Sequence, residues 1–451
     1  MDTYGIVSLI PVTVVIVVAV ITRRSFEPLL LGGIIGYLII DPGNFLINWI
    51  NSLTTIAGDL GWYYVLFVVI GIFILLLEKS GGALGFADLS AKFAKTRSTS
   101  LIITWLLGIA IFLDDYLNCL GVSVAMRKIT DKFKVPREFL AYVVNSTGAT
   151  VCLLVPVSTW AVYMASQFEL VGVTKNGTGL GAYIASIPYM FYAWAAVIIV
   201  PLFALKILPT YGPMKKAIER AETTGEVFPP GYHETHQDEL VGEEIKKTGA
   251  LNFVIPILAL TVVALVKNDV MLGIFAGLIA CAIIYIPRKI LKPLDFLNSV
   301  PEGLQSMAVV MITMTGSFVL NAVNQEMGLT PYVLDTVTPL ISGPLFPLIT
   351  FLVLSGLSFA TASPWAMATV SFPIIMPLAQ AVGADPFMIG GALIAGTAFG
   401  SHACFYGDAA ILTCAACNVQ PFEYARTSIP LILAPTAIGA IAYLILGFVL
   451  M

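Results

Sequence analysis

A chain of 451 residues that is 58% hydrophobic and 11% charged cannot cover itself with polar side chains in water, since soluble domains carry roughly 25% charged residues. Its net charge of −4 and lack of a basic tract leave nothing to hold nucleic acid. The six cysteines, Cys119, Cys152, Cys281, Cys404, Cys414 and Cys417, all lie in apolar or near-apolar stretches and read as small buried residues, not as a disulfide framework.

The first apolar run, residues 4–21, is preceded by Met1-Asp2 and followed by Arg23 and Arg24. It therefore reads as a span and not a cleavable signal, with the N-terminus outside. Residues 63–77, 191–205, 252–266 and 431–450 are further solid runs near spanning length, unlike the short alternating segments of a β-barrel. Glu78, next to Lys79, reads as an interfacial anchor. Gly32…Gly36 and Gly273…Gly277 mark close helix packing.

Residues 98–126 are flanked by Lys92, Lys95 and Arg97 on one side and by Arg127, Lys128, Lys132, Lys134 and Arg137 on the other. The stretch is too long for one plain span and is broken at Asp114-Asp115-Tyr116-Leu117-Asn118. It reads as a re-entrant hairpin open to the cytoplasm. A charge at mid-bilayer costs about 2.5–3.5 kcal/mol on insertion scales, so two adjacent carboxylates point to a cation or proton site. Neighbours on a helix diverge by about 100°. One acid is thus expected to face the site, while the other caps the next helix or pairs with a base such as Arg127.

Asn145, Ser146, Thr147 and Thr150 surround Gly148, where a membrane helix can unwind and offer side-chain and carbonyl oxygens. Such ligands suit a hard cation, and Na+ is expected at Asp114, Asp115 and Thr147. Residues 206–248 break the apolar pattern with a charged run and read as a cytoplasmic linker. His233 and His236 within it lack the further ligands of a metal site.

The second half repeats the first. Phe112 to Tyr116 lies 247 positions before Phe359-Ala360-Thr361-Ala362-Ser363, and Asn145 to Gly148 lies 250 before Ala395-Gly396-Thr397-Ala398. Glu78-Lys79-Ser80-Gly81-Gly82 has its counterpart in Gln325-Glu326-Met327-Gly328-Leu329. Residues 340–380 form a second hairpin with Thr361 and Ser363 at its tip, opening outside. Near the fourth break lie Ser401, His402 and Asp408, with His402 and Asp408 a candidate proton-handling pair. A zinc set of His402, Cys404, Cys414 and Cys417 is disfavoured by its helical setting. The expected fold is an all-α polytopic membrane protein of two inverted repeats, residues 1–205 and 249–451. Each holds about five transmembrane helices plus one re-entrant hairpin, with broken helices at the midplane.

Residues 112–120, residues 126–132, the stretch from Asn145 to Pro156, Gly407-Asp408-Ala409-Ala410-Ile411-Leu412 and Tyr424-Ala425-Arg426-Thr427 resemble the NhaC-type Na+/H+ antiporters over most of the chain. Through the wider ion-transporter superfamily the resemblance implies a cell-membrane homodimer with scaffold and transport bodies and an elevator-type shift. This chain departs at Gly400-Ser401-His402, where the family tends to carry Gly-Asp-His. The expectation is a secondary active Na+/H+ antiporter in the lipid bilayer. It is not an enzyme, and needs no cofactor beyond Na+ and H+ as transported or coupling ions. The alternative is a Na+- or H+-coupled carrier of a small organic solute, an amino acid or carboxylate.

Overall fold

The computed structural model describes residues 4–22, 26–91, 93–229, 246–267, 269–337, 343–361, 364–405 and 407–450. His233, His236 and Ser363 lie outside these residues. The first half comprises α1 (Ile10–Thr22), α2 (Phe26–Ile40), α3 (Phe45–Asp59), α4 (Gly61–Lys79), α5 (Gly82–Ala91), α6 (Arg97–Ala110), α7 (Asp115–Lys132), α8 (Arg137–Thr147), α9 (Ala149–Leu154), α10 (Thr159–Leu170), α11 (Gly179–Ser186) and α12 (Phe191–Ala204). After α13 (Gly212–Thr224), the second half holds α14 (Leu251–Lys267), α15 (Val270–Tyr285), α16 (Pro293–Glu326), α17 (Leu329–Val337), α18 (Phe346–Thr361), α19 (Pro364–Ala381), α20 (Pro386–Ala403), α21 (Asp408–Cys417) and α22 (Pro421–Leu450).

The backbone repeats. Helices α6, α7, α8 and α10 begin at 97, 115, 137 and 159, and α18, α19, α20 and α21 at 346, 364, 386 and 408, each 249 positions later. Long unbroken spans are few because the chain is interrupted at these matching places. Among the described residues Gly61–Lys79, Gly343–Ala360 and Pro421–Leu450 are long and apolar enough to cross a membrane alone. Arg137–Leu154 with Thr159–Leu170 is a pair bent by 44°, and Gly179–Tyr189 with Phe191–Ala204 one bent by 52°.

Packing divides the helices into two bodies. In the first, α16 lies along α4 and touches α2 and α3, while α14 and α15 pair and α15 rests on α4. In the second, α18 lies along α20, α6 and α7 pack on α8, α10 on α11, α12 on α22, and α21 on α7 and α8. Helices α5, α16 and α17 meet the second body at α6, α7 and α19. Every residue of α8 is buried, as is α10 from Thr159 to Phe168, so both are enclosed on all sides. The expected glycine contacts are present: a Cβ on Gly36 would strike Val323, and one on Gly277 would strike Phe73.

The stretch read as a wholly solvated linker contains α13, whose Met214, Ala217 and Ala221 are buried. Their i, i+3, i+7 spacing forms one apolar stripe, laid on α8 and α22. Arg220 Nη2 donates to both Glu138 carboxylate oxygens at 3.0 Å, and Arg97 pairs with Glu222. The start of α6 and the start of α8, which follows α7, thus reach the same helix, so the first hairpin leaves and returns at one end of the molecule. Helix α22 begins at that end, where Tyr211 Oη donates to Pro430 O at 2.8 Å. Near its far end, Gly447 abuts Pro344, just before α18, and Tyr443 Oη donates to Tyr189 O at 2.7 Å. Asp385, just after α19, lies beside Tyr189. The second hairpin therefore leaves and returns at the opposite end.

Candidate functional site

The first hairpin turns where α6 ends and Asp114 adopts an extended backbone, φ −150° and ψ 138°. Asp114 Oδ1 accepts from the N–H groups of Tyr116 and Leu117, each at 3.0 Å, capping α7 with a charge that suits the helix N-terminus. Its Oδ2 accepts from Thr159 Oγ1 at 3.2 Å, and Thr159 N donates to Leu113 O at 3.1 Å, which ties the tip to the start of α10. Asp114 is thus the capping acid of the pair. Asp115, the first residue of α7, is 2% exposed and within electrostatic reach of Cys119 and Cys152.

Asn118 is fully buried one turn on. Its Nδ2 donates to Gly108 O at 2.6 Å, Ile111 O at 2.9 Å and Thr147 O at 3.3 Å, joining the end of α6, the tip and the break after α8. Its Oδ1 is buried and receives no hydrogen bond among the described residues, leaving a free acceptor beside the tip. Gly148 ends α8 with φ −64° and ψ −96°. Thr147 Oγ1 donates back to Val143 O and Val144 O and packs where a Cβ on Gly108 would sit. Thr147 therefore offers the tip its carbonyl and not its hydroxyl. Thr150 likewise donates to Ser146 O.

The preceding residues of α8 face the other half. Ser146 Oγ lies 2.9 Å from His402 Nε2, and Tyr192 Oη lies 2.8 Å from Nδ1. The His402 carbonyl accepts from Asn145 Nδ2 at 2.9 Å and from Tyr424 Oη at 2.8 Å. Both ring nitrogens are thereby within hydrogen-bond distance of hydroxyls, those of Ser146 and Tyr192. Asp408 opens α21 and aligns with Thr159 by the helix starts. The side chains of Asp408 and Thr361 lie outside the described residues. Thr397 Oγ1 donates to Ile394 O at 2.8 Å. Ser401 is buried nearby, and its hydroxyl has no hydrogen-bond partner among the described residues.

The second tip is reached through α10. Trp160 and Trp365 have ring centroids 4.4 Å apart, and Tyr163 Oη donates to Trp365 O at 3.3 Å. Helix α10 therefore touches one tip with Thr159 and the other with Trp160 and Tyr163. Sequence reasoning had no role for Tyr192, which lies in an apolar run, and met Tyr424 only within the family resemblance; the hydroxyls after Pro156 were the available signal for Thr159. The first tip and the α8 break meet directly, and the end of α20 joins them through Asn145 and Ser146. The hydrogen bonds of Thr397 and His402 go elsewhere than to the two acids.

The backbone is similar to that of the YdaH transporter of Alcanivorax borkumensis, with a TM-score of 0.60 at 11% identity, covering 90% of this chain and 89% of that one. It is also similar to MtrF of Neisseria gonorrhoeae, described within a class of antimetabolite efflux pumps, with a TM-score of 0.58 at 15% identity over 91% of this chain and 85% of that one. At such identities the likeness shows the fold. An uncharacterized protein of Haemophilus influenzae is 25% identical across 98% of this chain and 91% of its own length. Residues 151–448 match the Na+/H+ antiporter family, well over half of the chain, and the protein belongs to that family as a membrane-embedded secondary transporter and not an enzyme.

Proposed function

We propose that the protein exchanges Na+ for H+ by alternating access, with Asp114, Asp115 and Asp408 as the carboxylates concerned and Asp115 as the acid for which the two cations compete. One observation carries the reading: two adjacent carboxylates, 4% and 2% exposed, stand at a helix break among Asn118 and the carbonyls of Gly108, Ile111 and Thr147. Oxygen donors of this kind suit Na+ as the transported ion. Na+ requires the ionised acid, a proton displaces it, and a body carrying an uncompensated buried charge resists movement through lipid. Exchange without leak follows from that rule.

Hairpins that enter from opposite ends support inverted repeats. The division into two bodies supports an elevator-type shift of the α6–α12 and α18–α22 body against the other. Arg97, Arg137 and Arg220 at the α13 end favour a cytoplasmic position for it, with the N-terminus outside. A coupled carrier of a small organic solute is the second reading, favoured by the Trp160–Trp365 wall at the second tip and by the antimetabolite efflux described for MtrF.

In proteoliposomes an outward Na+ gradient should drive proton uptake by the wild type. Asp115→Asn and Asp408→Asn should each lower the rate at least about 100-fold, the scale of losing a buried charge-assisted contact of roughly 3 kcal/mol. Full exchange by Asp115→Asn overturns the assignment. Organic-solute flux that requires Na+ promotes the second reading.

A further inference from the structure

We propose that Glu78 is the outer carboxylate on the path by which cations reach Asp114 and Asp115, a role that rests on the exchange reading above. On α4 the residues Leu76 and Leu77 are buried, and so are Ser80, Gly81 and Gly82 just beyond it, yet Glu78 between them is exposed. It is therefore left uncovered by protein within a packed boundary at the end of the α4 span, and not at a frayed helix end. Helix α4 touches α7, and α5, which follows directly, packs on both α6 and α7, so this boundary faces the first hairpin. The charges that act on Glu78 are those of Asp114 at the hairpin tip and Lys79 on its own helix. Lys79 pairs with Glu302 of α16, across the first body and away from the hairpin.

The second half supplies a control. Counting 247 positions on from Glu78 gives Gln325, also exposed, and both helix ends are followed by a glycine at positive φ, Gly81 at 62° and Gly328 at 70°. The fold therefore needs a polar residue at this place and not an acid. At the place of Glu78 itself the second half has no charge; its exposed acid, Glu326, stands at the place of Lys79. An exposed carboxylate ahead of two buried ones raises the local cation concentration by a long-range field, which salt screens over a Debye length of about 8 Å at 0.15 M.

The test is Na+-dependent proton flux in proteoliposomes for the wild type, Glu78→Gln and Glu78→Asp, at low ionic strength and again with added N-methylglucamine chloride. Glu78→Gln should raise the half-saturating Na+ concentration about three- to ten-fold at low ionic strength, the range expected for one charge at intermediate dielectric. The shift should shrink at high ionic strength, fall on half-saturation and not on the maximal rate, and be largely reversed in Glu78→Asp. An unchanged half-saturating concentration, or a lowered maximal rate alone, overturns the proposal while wild-type exchange leaves the underlying reading intact. A wild type that exchanges no Na+ for H+ overturns both.

Discussion

Asn118 illustrates how much one side chain can hold at a helix break. Its amide satisfies carbonyls of Gly108, Ile111 and Thr147, which a membrane interior cannot supply with water. Asn118→Ala leaves them short of a donor, at a cost of about 1–3 kcal/mol for an unsatisfied buried group, and should lower the melting temperature in detergent by several degrees. His402 is a different case. An imidazolium there would be a buried charge whose ring partners are the neutral hydroxyls of Ser146 and Tyr192, an unfavourable arrangement. His402→Gln should therefore leave the pH profile of exchange in place, while His402→Ala should destabilise the protein; a displaced profile in the glutamine variant would reinstate the histidine as a proton carrier. The acids were legible because charge stands out in an apolar run. The partners of His402 were not, since a tyrosine in such a run carries no pattern and Tyr192 lies 210 positions away.

Helices in this protein meet through absent side chains as much as present ones. Gly36 lets α2 approach α16 at Val323. Gly36→Ala should cost about 1–3 kcal/mol by overpacking, and Val323→Ala should relieve most of that, so a double-mutant cycle by thermal denaturation reads a coupling of the two sites; strict additivity would contradict the contact. At this scale the hairpin around Asp114 was legible from basic residues at both its ends and a polar break between them. Helix α13 was not, because its charges, Lys215, Glu219 and Glu222 among them, conceal the stripe of Met214, Ala217 and Ala221. Helix α10 as the link between tips depends on Trp160 meeting Trp365, a pairing made only by the tertiary fold.

The two bodies touch along several seams, and one of these is readily tested. Tyr63 Oη on α4 donates to Glu169 Oε2 on α10 at 2.7 Å, beside a cavity of about 570 Å³ lined also by Trp62, Lys175 and Asp269. If the bodies slide, a short thiol-reactive linker joining Tyr63→Cys to Glu169→Cys should stop exchange and its cleavage should restore it; the six native cysteines are all buried. Undiminished exchange after cross-linking would exclude relative movement at this seam. The repeat was visible in sequence as a spacing of 247 to 250, and the helix starts sharpen it to 249. The division into bodies was implied only by resemblance, since no local pattern records which helix packs on which. The central claim, competition of Na+ and H+ for the Asp114–Asp115 carboxylates, is tested most directly by Na+ binding to the purified protein, read from thermal stabilisation across a pH series. The account predicts a dissociation constant that rises by up to about ten-fold per pH unit on acidification, because only the ionised acid binds the ion, and the loss of that binding in Asp115→Asn. A dissociation constant independent of pH, or one unaltered in Asp115→Asn, would contradict it.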